Sequence, residues 1–169
     1  MNEIKNKVKD SGLIQLDLAD YKPRIPIVGI DLASQLWQGL VLKEKDFRTW
    51  IKENHWLSYE NKAVFIYCSA DAIIPTWAYM LVASALQSIA KKVVVGNQLE
   101  LEKSLILDAI TAIDLAPFQD GKVIVKGCSD IPAPEFAMVT LLTHVQGVVQ
   151  SMMYGEPCST VPIYKRKNA

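Results

Sequence analysis

The stretch Ala63-Val64-Phe65-Ile66-Tyr67, continuing through Cys68-Ser69-Ala70-Asp71-Ala72-Ile73-Ile74 to Pro75 and an uncharged run to Ala90, decides the fold. A short run of apolar strand formers without alternation reads as a strand covered on both faces. Pro75 suits the first turn of a helix, where a missing N–H costs nothing, so Pro75–Ala90 is predicted helical. Val93–Val95 then reads as a second short strand. Strand, helix and strand in that order make a crossover unit, which sets the two strands parallel.

The same grammar continues downstream. Leu99–Ile113 places Leu101, Leu105, Ile106 and Ile110 at helical spacing; Val123–Val125 is a third strand, Pro134–Met153 a third helix and Val161–Tyr164 a last short strand. Upstream the pattern is mixed. Leu13–Leu18 is extended, Pro23 and Pro26 interrupt, and Phe47, Trp50 and Ile51 mark a helix between Lys43 and Asn54 with Asp46 in its first turn. The class expected is α/β: a mostly parallel sheet with helices on both faces, in a single three-layer domain over residues 1–169. Within it, residues 1–60 form a mixed N-terminal subregion and 61–169 the regular βα repeats. A faint echo runs at a sixty-residue offset: Lys62, a strand, Cys68-Ser69, Asp71 and Pro75 recur as Lys122, a strand, Cys128-Ser129, Asp130 and Pro134. Chance similarity of two βα units explains the echo as well as duplication does.

Composition removes several functions. The chain has 169 residues, 18 Lys+Arg against 18 Asp+Glu and a half share of apolar residues, so it is neither disordered nor equipped with the basic field of a nucleic-acid or anionic-membrane binder. Lys165, Arg166 and Lys167 read as a solvated tail. Ala72–Ala90 and Phe136–Gly155 are uncharged and approach the length of a spanning helix. The first holds Pro75, Ser84, Gln87 and Ser88 and the second Thr140, Thr143, His144, Gln146 and Gln150, so both read as helices buried in protein. Met1–Asp20 lacks an apolar signal core, and three widely spaced cysteines make no disulfide framework, so a cytoplasmic location is expected.

Chemistry centres on those cysteines. Cys68 and Cys128 each follow a strand and precede a helix, whose amino terminus favours thiolate. A strand order second–first–third would set the two strands side by side with a crevice between their loops. Cys158 lies in a loop made rigid by Gly155, Pro157 and Pro162. It reaches the other two only if the 134–153 helix breaks early, the last strand runs antiparallel, or a second subunit supplies the loop. Three thiolates suit zinc or an iron–sulfur cluster, with Asp71, Asp130, Glu156, His144 or solvent in a fourth position. The bland alternative is that each cysteine packs as a small hydrophobe.

Val64–Cys68 with its loop also resembles the cysteine loop of rhodanese-like sulfurtransferases and cysteine phosphatases, which implies Cys68 as a nucleophile. Ser69–Ile74 carries Asp71 but no Gly or Arg, which disfavours anion binding. His144 belongs to an uncharged stripe of Thr140, Thr143, Gly147, Gln150, Ser151 and Tyr154 that reads as a homodimer face. His55 reads as a cap or surface residue.

Cys68–Met80, Lys126–Glu135 and Tyr154–Lys165, together with Gln38–Phe47, resemble an uncharacterised bacterial family, domain of unknown function 2480. The resemblance covers nearly the whole chain and implies no established activity. It implies an association with iron–sulfur cluster assembly, because members look to be often encoded beside genes of such a system. Each of three familiar segments holds one cysteine. The function expected is therefore a cytosolic metal-binding protein (zinc or iron–sulfur) using Cys68, Cys128 and Cys158, with Asp71 and Asp130 nearby. Assembly proteins and a second copy are its expected partners. The alternatives are a sulfur-transferring or thiol-exchanging enzyme acting through Cys68, and a non-catalytic dimeric interaction module.

Overall fold

The computed structural model describes residues 12–127, 131–156 and 158–167. In chain order the elements are β1 (Leu13–Asp17), β2 (Ile27–Asp31), α1 (Glu44–Glu53), β3 (Ala63–Tyr67), α2 (Thr76–Leu86), β4 (Lys92–Val95), α3 (Gln98–Thr111), β5 (Lys122–Lys126), α4 (Pro134–Val145), β6 (Ser151–Glu156) and β7 (Ser159–Lys165). Strands and helices interleave, so the class is α/β, with two mostly parallel sheets. They fall in two compact units: an inserted unit, residues 24–105, and a flanking unit made of residues 1–23 and 106–169.

In the inserted unit the sheet order is β2-β3-β4, all parallel. Val64 and Ile66 point to one face of β3 and are fully buried with Phe47 of α1 and Ala78, Val82 and Leu86 of α2. Those three recur every fourth residue, so a single stripe of α2 meets the sheet. Burying each large aliphatic side chain there stabilises by about 1.5–3 kcal/mol. Around Phe47 the aromatic rings of Trp50 and Trp77 pack at centroid distances of 5.1 and 5.8 Å.

The flanking unit has the order β1-β5-β6-β7, with β7 alone antiparallel. Its core joins Val123 and Val125 of β5 to Ala137, Leu141 and Val145 of α4 and to Ile106 and Ile110 of α3.

The two units repeat one another. Ala63 pairs with Lys92 in one and Lys122 with Ser151 in the other, so both strands shift by fifty-nine residues. The same offset carries Pro75 to Pro134, Ala78, Val82 and Leu86 to Ala137, Leu141 and Val145, and Phe47 to Ile106. It carries even the left-handed residue before the strand, Asn61 at φ 59° and Asp120 at φ 54°. The leading strands match at a different offset: β1 and β2 each end in an Asp-Leu-Ala whose carboxylate accepts a hydrogen bond from the Ala N–H two residues on, at 2.9 Å in both. The echo seen in the sequence is thus structural: its aspartate and proline matches lie in register, and its lysine, cysteine and serine matches one residue out.

Three expectations change. β3 is flanked by β2 and β4 and therefore has no free edge for β5, so the predicted order second–first–third does not occur. The helix predicted over 134–153 stops at Val145, where α2 also stops in its own unit, and Ser151–Glu156 becomes a strand. An uncharged apolar run has no period that separates these outcomes. β2 was missed because Gly29 interrupts a five-residue run. Among the described residues no helix is long and apolar enough to cross a membrane.

Candidate functional site

Cys68 follows β3 directly and is half-buried at the edge of the inserted unit's core. Its Sγ donates weakly to the Ala70 carbonyl at 3.6 Å, a contact that engages the thiol proton. Asp71, three residues on, is exposed. Tyr79 of α2 is the near neighbour of this thiol: burial holds its phenol above the usual range, and charge on Cys68 adds to that.

Cys158 lies in the turn joining β6 to β7 and is exposed. The turn is tight: Glu156 pairs with Ser159 and Gly155 with Thr160. Gly155 adopts φ 121°, and a Cβ there would stand 2.5 Å from the Ser159 carbonyl oxygen, so glycine is required. Because β6 runs parallel to β5, with Val125 opposite Tyr154, this turn sits beyond the carboxyl end of β5. Two of the conditions under which Cys158 could reach that edge are therefore met, since the helix breaks early and β7 is antiparallel. Exposed Glu156 ends β6 two residues before it. Cys128 and Asp130 lie outside the described residues.

The repeat alters the argument that the first two cysteines are equivalent. At the structural offset Cys68 corresponds to Gly127, and Cys128 to Ser69. Gly127 has φ 99°, and a side chain there would run into the Asp17 carboxylate. The strands that precede Cys68 and Cys128 belong to different sheets, so they are not the neighbouring strands of one sheet that the sequence reading expected. Among the described residues no three His, Cys, Asp or Glu side chains converge. His144 is occupied otherwise: its Nε2 lies 3.2 Å from the Ile113 carbonyl, a tie from α4 to the loop after α3.

One polar junction escaped the sequence reading. Asp31, at the end of β2, accepts from the Ala33 N–H, from the Ser69 N–H at 3.0 Å and from the Ser69 hydroxyl at 2.5 Å. The Ser69 hydroxyl is the main reason its carboxyl lies below the usual range; burial opposes and the two backbone N–H groups assist. It clamps the loop that carries Cys68 to the neighbouring strand. In the flanking unit Asp17 stands at the matching place, with Lys126 Nζ at 3.9 Å. The signal in the sequence was the repeated Asp-Leu-Ala, at residues 17–19 and 31–33.

No curated protein and no solved structure matches the chain. One family model does, over residues 2–166, which is nearly the whole length and takes in all three cysteine segments. The chain belongs to the family described as protein of unknown function DUF2480.

Proposed function

We propose that the protein binds a thiophilic metal, zinc or an iron–sulfur cluster, through cysteine thiolates, and that it serves cluster assembly in the cytoplasm as a homodimer. Cys158 and Cys128 supply sulfur, Asp130 supplies oxygen, and a fourth position exchanges. The observation that supports this reading is the β6–β7 turn. It carries Cys158 to the edge where β5 ends, and the chain leaving β5 holds Cys128 and Asp130 within four residues of Lys126. Cys68 and Asp71 belong to the inserted unit, and Cys68 already engages the Ala70 carbonyl. They stand as the remaining candidates of the set. The same engagement weighs against Cys68 as a sulfur-transferring nucleophile. For the dimer, α4 offers exposed Val139 and Thr143; because α4 ends at Val145, Gly147, Gln150, Ser151 and Tyr154 do not continue one helical stripe with Thr140, Thr143 and His144.

Anaerobic purification followed by metal and acid-labile sulfide analysis tests the metal. Cys128→Ser and Cys158→Ser should each empty the site, and Cys68→Ser should leave it loaded. Metal that persists with all three cysteines replaced, or a chain that takes up neither zinc nor a reconstituted cluster, overturns the reading. Thr143→Glu, on the exposed side of α4, should shift sedimentation to a monomer; an unchanged profile removes α4 from the interface.

A further inference from the structure

The flanking unit contains a groove of about 480 Å³ between α4 and the strands β5, β6 and β7. Its apolar walls include Val125, Met138, Val139, Leu142, Met152 and Ile163. Among the described residues Glu135, in the first turn of α4, is the one charged residue that lines it. That volume lies within the range of about 300–1,000 Å³ typical of small-molecule sites, which combine apolar walls with few polar groups.

Comparison with the repeat shows how the lining of this face differs between the units. Met138 stands where the inserted unit has Tyr79, whose ring packs against that unit's core. Leu142 and Met152 replace Ala83 and Val93, and Ile163 comes from β7, a strand with no counterpart after β4. A rigid ring has given way to a flexible thioether and a further strand has added a wall. Thioethers adapt to irregular apolar ligands. The flanking unit departs from its copy at the residues that shape this space.

Charge then selects the occupant. Among the described residues no cation pairs with the Glu135 carboxylate, and it stands exposed at the groove. An anion entering the same space would meet the Glu135 charge, which the amino terminus of α4 offsets only in part. We infer that this groove binds a small amphiphile with an apolar body and a single cationic end, the body between α4 and the sheet and the cation against Glu135. The site shares no residue with the thiol set and stands whether or not a metal is bound.

Calorimetry with decyltrimethylammonium below its micelle concentration tests this, with decyl sulfate and decyl maltoside as head-group controls. One saturable site per chain is expected, with the cation tightest and the sulfate weakest. Met138→Tyr, which installs the other unit's residue, should exclude about two methylenes of the chain and weaken binding about tenfold. Glu135→Gln should weaken the cation about threefold and bring it level with the maltoside. Ile163→Trp, at a half-exposed position on the edge strand, repeats the filling test should Met138→Tyr fail to fold. Absence of saturable heat, equal binding of the sulfate, or unchanged affinity in a folded filling variant overturns the proposal. Unchanged binding after all three cysteines become serine separates it from the metal reading.

Discussion

The two units carry the same plan and finish it differently. Both place a leading strand ending in Asp, a helix, a central strand, a helix and a third parallel strand in one register. The inserted unit stops there; the flanking unit turns back through Cys158 into β7. The shared part is the hydrophobic frame, where volume and burial leave few choices. The parts that differ are the strand ends, the groove and the turn, where ligands bind in α/β sheets. Function is therefore to be sought where the copies diverge.

Truncation in the matched cores gives the largest effects. Phe47→Ala should cost about 3–5 kcal/mol and its counterpart Ile106→Ala about 2–5 kcal/mol, measured by urea unfolding, since both are fully buried. A cost near zero at Ile106 would break the equivalence of the two cores. Next is the contact on the second face of β3. Gly29 pairs with Phe65, and a Cβ at 29 would lie 2.6 Å from the Phe65 ring, whereas the flanking unit pairs Gln15 with Ile124. Gly29→Gln should cost about 1–3 kcal/mol through overpacking, and Gly29→Gln with Phe65→Ile should recover part of it. Simple addition of the two single effects would show that the pair is not a swapped unit.

Asp31→Asn should cost about 1–2 kcal/mol at neutral pH, more than Asp17→Asn, because Asp31 accepts three hydrogen bonds across two strands. The difference has a pH signature. A carboxyl held below its usual value in the folded state stabilises above the unfolded value of about 4, and loses that contribution as pH falls through the lowered folded value. The stability gap between Asp31→Asn and the native chain should therefore narrow on acidification below pH of about 4; a gap constant from neutral pH to strong acid would assign the effect to packing. The smallest effect belongs to the left-handed residue before β3. Asn61→Ala should cost about 1 kcal/mol while Asn61→Gly stays near zero, read by thermal melting. Equal costs for both would place the effect in the lost amide.

What could be read in advance followed from local physics. β3 and α2 were legible because four strand formers, Val64 to Tyr67, precede a proline-led uncharged helix. The cysteine segments were legible as familiar stretches, and the family model takes in all three. β2 was not, because Gly29 is a poor strand residue until the Phe65 ring occupies its empty side. β6 was not, because its apolar residues follow a helix without a charged break. The Asp31–Ser69 junction joins residues thirty-eight apart, and no spacing rule spans that distance.

The amino-acid order by itself determined the class, the alternation of strands and helices, and the residue types able to hold a soft metal. These depend on periodicity and side-chain chemistry, which act over a few neighbours. Only the tertiary structure decided that the strands divide between two sheets, that the repeat runs at fifty-nine residues and that Cys158 rides a hairpin beside β5. The reason is that strand partners are chosen by hydrogen bonding and packing between distant segments, and nothing in a strand's own residues names the strand that will lie beside it.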